Sequence, residues 1–304
     1  MKKITIGIVT YNRNHSLAAT IESLRYLKPI PDVTFELILV DNFKANHALP
    51  ILEKANLSFE KKYFFEPRHG IPFSRNKVVD EALKGGATEV AFLDDDEEAD
   101  SFWLFNLYAG FNFYKSDVIV GRHLTTYPKG TPDWAIHTGF FEVPRKCTGM
   151  RLGHASTANV LYSSKIFKEW NLKYNENLAL TGGTDSLLAK EIVNKGGIIV
   201  YVDDAVVREE VPANRATLSW MVKRSYRLRA NAMQHFIMAE NTFVAIKFFV
   251  TTFLKGLARI GMSTLKALFF KKSEVAKVII TSAGLVGLVG GLFNIQYREY
   301  SSPK

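Results

Sequence analysis

Residues 90–98 read Val90-Ala91-Phe92-Leu93-Asp94-Asp95-Asp96-Glu97-Glu98, an apolar run that stops against five consecutive acids. A short buried strand that delivers carboxylates to its exposed end is how an α/β protein presents a divalent cation to a phosphate. A solvated acidic turn would give the same letters, so the meaning of the stretch depends on its surroundings.

Working outward, Ile4–Thr10, Phe35–Asp41, Tyr63–Glu66, Val90–Asp94 and Val118–Arg122 are short apolar runs, each compatible with a buried strand. Helix-like stretches separate them at Ser16–Leu27, more weakly near His47–Ala55, and at Ser74–Lys84 and Asp100–Lys115. Strands alternating with helices at this spacing specify an α/β fold with a doubly wound, mostly parallel sheet. The ligand site of such a sheet lies outside the carboxyl ends of its strands. Thr10, Asp41, Glu66 and Asp94 all fall at those ends. Residues 123–155 are rich in Pro, Gly and Thr and carry Trp134, which predicts a long, partly irregular excursion suited to an acceptor or lid region. Asp185–Lys195 then predicts a helix closed by Gly196-Gly197, followed by a strand over Ile198–Val202.

The charge is unevenly placed. Residues 205–304 carry 15 Lys/Arg against 5 Asp/Glu, whereas residues 1–204 hold 24 and 25. The basic excess coincides with the most apolar stretch, residues 243–293, which points to an anionic membrane surface and away from nucleic acid. A single cysteine, Cys147, excludes an intramolecular disulfide framework and fits a reducing compartment. After Lys2 and Lys3 only about six mostly apolar residues precede Tyr11, too few for a signal-peptide core, so the segment is expected to be a strand of the fold.

Several motifs in fixed order carry a family resemblance. They are Ile-Val-Thr10-Tyr11-Asn12-Arg13, Leu-Val-Asp41-Asn42, Glu66-Pro-Arg-His-Gly70-Ile-Pro-Phe-Ser74-Arg75-Asn76, Phe-Leu-Asp94-Asp95-Asp96 and Thr181-Gly182-Gly183-Thr184-Asp185. In this order they resemble the family-2 glycosyltransferases of GT-A, Rossmann-like fold, and within them small bacterial enzymes of succinoglycan-type exopolysaccharide or capsule synthesis. The resemblance spans roughly residues 3–230. It implies that Thr10, Tyr11, Asn12, Arg13 and Asp41 hold the nucleoside of a nucleotide-sugar donor, the Asp41 carboxylate being able to accept a hydrogen from a uracil nitrogen. Asp41 could equally cap the next helix. Arg75 and Asn76, at a helix start, are suited to anionic or ribose groups, and Arg75 could instead pair with the acidic loop.

By the same resemblance, Asp94 and Asp95 lie on the donor side. Asp96, with Asp94, would ligate Mg²⁺ or Mn²⁺ at the donor diphosphate, because hard cations take carboxylate, phosphate and water oxygens together. Glu97 and Glu98 are expected to be solvated. Asp185 is the implied general base, with Gly182, Gly183 and Thr184 on the acceptor side, where glycines allow close backbone approach. An N-cap for the helix that begins there is the competing role for Asp185. The chain departs from the family in two places. Thr184 stands where a Glu is usual, and the stretch from Asp203 to Glu210 lacks the metal-binding His of many relatives, leaving Glu209 as a substitute. Trp220 precedes Arg224 and Arg227, which can serve either the diphosphate or lipid headgroups.

Near the C-terminus, taking Asn241–Phe270 as one helix puts Lys247, Lys255, Arg259 and Lys266 within a sector of roughly 120°. The rest of that surface is apolar, the pattern of a basic helix lying in the headgroup plane. Val278–Ile295 is uncharged and about the minimum length for a bilayer span. Its Gly287 and Gly291 form a Gly-x-x-x-Gly pair suited to a dimer or a packed hairpin.

The expected organisation is a catalytic domain over residues 1–215 and a helical, membrane-associating region over 216–304. The expected activity is inverting, metal-dependent transfer of one sugar, from a UDP-sugar, to a hydroxyl of a lipid-linked or membrane glycan acceptor. The expected location is the cytoplasmic face of a bacterial inner membrane, with homo-oligomerisation through the C-terminal helices open. The rivals are a membrane-bound scaffold with a degenerate transferase domain and a nucleotidyltransferase using the same acidic strand end.

Overall fold

The computed structural model describes residues 2–179, 183–239, 242–269 and 272–293. In chain order the elements are β1 (Lys2–Thr10), α1 (Asn14–Leu24), β2 (Val33–Asp41), α2 (Leu49–Lys54), β3 (Glu60–Phe65), α3 (Ile71–Lys84), β4 (Glu89–Phe92), β5 (Glu97–Ala99) and α4 (Trp103–Tyr114). There follow β6 (Val118–Thr126), α5 (Asp133–His137), β7 (Val160–Ser163), α6 (Lys165–Lys168), a 3₁₀ turn at Glu176–Leu178, α7 (Thr184–Asn194), β8 (Ile199–Glu210), α8 (Leu218–Ala239), α9 (Thr242–Ala267) and α10 (Lys272–Leu292). They fall into two units, one of residues 1–125 and 143–209 and another of residues 126–142 and 210–304.

The first unit is built on an eight-stranded sheet of order β3-β2-β1-β4-β7-β6-β8-β5. As the alternating pattern requires, β3, β2, β1 and β4 run parallel, with Thr10 opposite Asp41 and Asp41 opposite Phe65. Their carboxyl ends therefore share one edge. Alternate residues of β2 enter opposite cores: Leu37 and Leu39 pack with Leu17, Ile21 and Trp103 on one face, Ile38 and Val40 with Val78, Val79 and Ala82 on the other. That period of two, apolar on both faces, is the mark of a sheet covered by helices on each side. Each such fully buried side chain contributes about 1.5–3 kcal/mol.

The other half of the sheet pairs antiparallel: β4 with β7, β7 with β6, and β5 with β8. β5, β7 and most of β8 escape a reading based on apolar runs. β8 continues for 12 residues, well past the apolar run that predicts it, because its second half alternates buried and exposed positions. Asp203, which breaks that run, is buried and held by Arg145 Nε at 2.8 Å. Asn159, wholly buried before β7, donates to the carbonyls of Arg122 and Ala205 and so ties β6 to β8.

The second unit packs α10 against α8 through its glycines. A Cβ at Gly287 would lie 2.1 Å from the carbonyl oxygen of Tyr226, and one at Gly291 would lie 2.7 Å from that of Ala230. Ser225 Oγ donates to the Ile280 carbonyl at 2.9 Å. The Gly-x-x-x-Gly face is thus occupied by α8 of the same chain. Phe236 of α8 stacks on Phe248 of α9 with ring centroids 4.0 Å apart. On the outer face of α9, Phe243, Leu254 and Leu265 are exposed, as are Lys247, Lys255, Arg259 and Lys266. α10 is long and apolar enough to cross a membrane by length and composition.

Overpacking at such a contact costs about 1–3 kcal/mol. Gly287→Val is therefore expected to lower the melting temperature of the full chain by several degrees, whereas Val286→Ala, at a position 62% exposed, leaves it nearly unchanged; thermal unfolding checks both.

Candidate active site

The carboxyl edge of β1–β4 collects the acidic residues singled out by sequence. After Thr10 the chain turns through Asn12, whose φ of 54° lies in the left-handed region that Asn tolerates. This turn brings Arg13 over the acids that follow β4. Arg13 Nη1 donates to Asp95 Oδ1 at 3.1 Å and to Asp96 Oδ2 at 2.7 Å, and Thr10 Oγ1 donates to Asp95 Oδ2 at 2.7 Å. Asp95 is buried, which raises its pKa against the pull of Arg13, and both its oxygens are engaged by the first loop. The middle acid therefore joins two loops, while Asp94 and Asp96 keep open sides.

Asp41 is spent on the loop that leads to α2. Wholly buried, it accepts from Phe43 N at 3.0 Å, from Ala48 N just before α2 at 2.9 Å, and from the Tyr63 hydroxyl at 3.1 Å. Asn42 holds the next loop by donating to the carbonyls of Glu66 and Arg68 and accepting from Gly70 N. Tyr11, 43% exposed, meets the Phe43 ring edge-on at 5.2 Å and His69 at 6.2 Å. Phe43 and His69 complete an aromatic rim that sequence reasoning missed, since isolated aromatic residues in loops carry no periodic signal.

Arg75 and Asn76, one turn into α3, diverge. Asn76 is spent on the chain that follows residue 172: its amide donates to the Tyr174 carbonyl at 2.9 Å and to Glu176 at 3.1 Å, and its oxygen accepts from Tyr174 N. Arg75 is buried beside the Tyr174 ring, ion-paired to Asp185 Oδ1, with Nη2 3.9 Å from Asp94 Oδ1. One guanidinium thus stands between the acidic turn and the candidate base. Asp185 is not the cap of its own helix: Gly183, at φ 87°, occupies the N-cap of α7. Asp185 instead accepts from Thr184 Oγ1 at 3.1 Å and from Thr157 N at 3.2 Å. Gly182 and Thr181 lie outside the described residues. Thr157 and Tyr174, the latter bonded to Thr157 Oγ1, are further site residues with no signal in the motifs.

Glu97 corrects an expectation. It is 2% exposed rather than solvated, because the acidic run does not end in a free loop but enters β5 opposite β8; Glu98 is exposed as expected. Glu97 Oε2 accepts from Asp94 N at 3.1 Å, and Oε1 lies 2.9 Å from His123 Nδ1. A histidine, His123 of β6, thus stands behind the acidic turn, paired with Glu97. Burial alone would lower the His123 pKa, but Glu97, with Asp94 and Glu209 beyond it, holds it above its ordinary value. Desolvation on its protein side and the Glu97 carboxylate raise the Asp94 pKa well above the usual carboxylate range, against the pull of Arg75, while its other side stays open. Such crowding of acids favours a cation. Among the described residues no three His, Cys, Asp or Glu side chains enclose a metal by themselves. Asp94 and Asp96 offer oxygen ligands only, the kind a hard cation takes together with phosphate and water.

The carboxyl edge of the doubly wound sheet thus gathers acids, a buried arginine and an aromatic rim. Residues 5–170 match the family model described as Glycosyl transferase family 2, and the chain belongs to that family. It is 29% identical over 229 residues to the succinoglycan biosynthesis protein ExoM of Rhizobium meliloti (strain 1021), covering 74% of this chain and 72% of that protein. Among solved structures it is similar to S. aureus TarS 1-349 in complex with UDP-GlcNAc, with a TM-score of 0.57 and 16% identity over 98% of this chain and 93% of that one. The mannosyltransferase PcManGT from Pyrobaculum calidifontis, in complex with GDP-Man and Mn²⁺, gives 0.64 and 14% over 96% and 87%. At these identities the likeness to the solved structures is one of fold.

Removing one member of a buried ion pair is strongly destabilising. Arg75→Met, which leaves Asp185 and Asp94 facing each other, is expected to lower stability in urea by roughly 3 kcal/mol, near the bottom of the range for sealed pairs because Asp94 is half exposed. Arg75→Lys keeps the charge without the fork and should fall between.

Proposed function

We propose that the chain transfers one sugar, with inversion, from a UDP-sugar to a hydroxyl of a lipid-linked or membrane glycan in cell-surface polysaccharide synthesis. The observation that carries this is the pairing of one buried arginine with carboxylates of two kinds: Asp94 of the acidic turn and Asp185 at the start of α7. Inversion needs a base on the face opposite the leaving diphosphate, and in this reading Asp94 serves the donor side and Asp185 the acceptor side.

In this reading Tyr11 and Phe43 offer ring faces and edges to the nucleobase, and Asn12 and the backbone after Thr10 take the ribose. Asp41 contributes by fixing the loop that carries Phe43. Asp96 and Asp94 hold a divalent cation, Mg²⁺ or Mn²⁺, which when bound neutralises charge developing on the diphosphate. Arg75 is suited to the same oxygens by its fork of donors. Asp185 accepts the acceptor hydroxyl proton; the oxygen bonds to the anomeric carbon as the bond from that carbon to the diphosphate oxygen breaks, and UDP leaves with the electron pair. Gly183 and Thr184 line the acceptor side.

The membrane part of the proposal rests on the second unit. The exposed apolar stripe of α9 with Lys247, Lys255, Arg259 and Lys266 suits the anionic cytoplasmic leaflet, each cation contributing about 1 kcal/mol. Tethering to that surface raises the effective concentration of a lipid-borne acceptor. The relative in succinoglycan biosynthesis and the neighbours holding UDP-GlcNAc and GDP-Man with Mn²⁺ support substrate class and cation.

Calorimetric titration of the detergent-purified chain with UDP tests the reading. Binding is expected in Mn²⁺ and weakened in EDTA, with Asp96→Ala reducing the Mn²⁺-dependent affinity at least ~10-fold. A folded wild type that ignores both UDP and Mn²⁺ would contradict it.

A further inference from the structure

Asp94 and Asp96 can act together only if the turn between β4 and β5 holds one shape, and that shape is set from below. The turn is closed by two bonds between its ends: Glu97 N donates to the Asp94 carbonyl at 3.3 Å, and Asp94 N donates to Glu97 Oε2 at 3.1 Å. The second bond uses a carboxylate that is 2% exposed. A buried carboxylate with a single backbone donor would be costly. Its position is made worse by register, because Glu97 lies directly opposite Glu209 across the β5–β8 ladder, and like charges so placed repel.

The cations already described serve other acids. Arg13 engages Asp95 and Asp96, and Arg75 engages Asp185 and, at 3.9 Å, Asp94. The partner of Glu97 is His123, whose Nδ1 is 2.9 Å from Oε1 and whose side chain is 17% exposed. With a carboxylate opposite it, that nitrogen carries the hydrogen and donates. His123 comes from β6, which the buried Asn159 ties to β8. The ring is thus fixed by the sheet, the carboxylate by the ring, and the Asp94 backbone by the carboxylate.

We infer that His123 and Glu97 form a positioning pair that holds the Asp94–Asp96 turn in the geometry that receives a divalent cation with its nucleoside diphosphate. Neither residue touches donor or acceptor. The pair acts through the Asp94 amide, as the groups behind a metal ligand orient that ligand. This rests on the metal-dependent donor reading given above. It differs from ordinary structural support in its consequence: the pair sets how much the cation adds to nucleotide binding, not whether the nucleotide binds.

The test is UDP affinity of the full chain by calorimetry, in Mn²⁺ and in EDTA, for wild type, His123→Gln and Glu97→Gln. Glu97→Gln keeps an oxygen able to accept from Asp94 N while losing the charge that holds His123, so it is the milder change. The Mn²⁺-to-EDTA affinity ratio is expected to fall at least ~10-fold in both variants, with the EDTA value within about twofold of wild type. A lower melting temperature with an unchanged ratio would overturn the inference, and so would loss of UDP binding in EDTA, which would assign the pair to the fold at large. If the wild type itself shows no difference between Mn²⁺ and EDTA, the donor reading and the inference fall together. A wild-type difference that both variants retain removes the inference alone.

Discussion

The Arg75 guanidinium, buried between the Tyr174 ring, Asp185 and the turn that begins at Asp94, is the interaction on which the carboxyl edge depends. Carboxylates drawn this close repel in a partly dehydrated cleft, and desolvation makes the repulsion stronger than in water. A single fixed cation lets the acids from β4 and α7 face one space without closing it. Arg13 does the same for Asp95 and Asp96, and His123 does so for Glu97. The acids of the turn and of α7 are therefore held by cations from other elements, Arg13 before α1, Arg75 of α3 and His123 of β6.

The parallel half of the fold is legible because β1, β2 and β4 are buried on both faces and read as largely apolar runs. The antiparallel half is not. β8 hides behind Asp203, whose burial depends on Arg145, distant in sequence. β5 hides inside the acidic run, where Glu97 looks like a solvent-facing residue until the β8 ladder and His123 are in place. Local patterns cannot register a charge whose partner arrives from another strand. In the same way Asp41, Asp95 and Asn76 are conspicuous in the motifs, yet their side chains are largely consumed in holding loops, while Phe43, Thr157 and Tyr174 reach the site without any motif.

The C-terminal helices illustrate the difference between a pattern and its use. Gly287 and Gly291 advertise close helix contact, and the contact exists, with α8 of the same chain. Lys247, Lys255, Arg259 and Lys266 remain exposed beside the exposed apolar residues of α9. A surface of that composition is stable in water only at a cost, and an anionic interface removes it.

The central claim is that Asp185 is the proton acceptor for sugar transfer and not a structural partner of Arg75. The direct measurement is sugar transfer from UDP-sugars to membrane-derived acceptors by Asp185→Asn beside wild type, with UDP affinity determined on the same preparations. Loss of transfer by at least ~10³-fold, with UDP affinity kept within about threefold, is the predicted result for removal of a general base that leaves the fold and donor site intact. Transfer that survives the substitution, or falls only in step with UDP affinity, would contradict it.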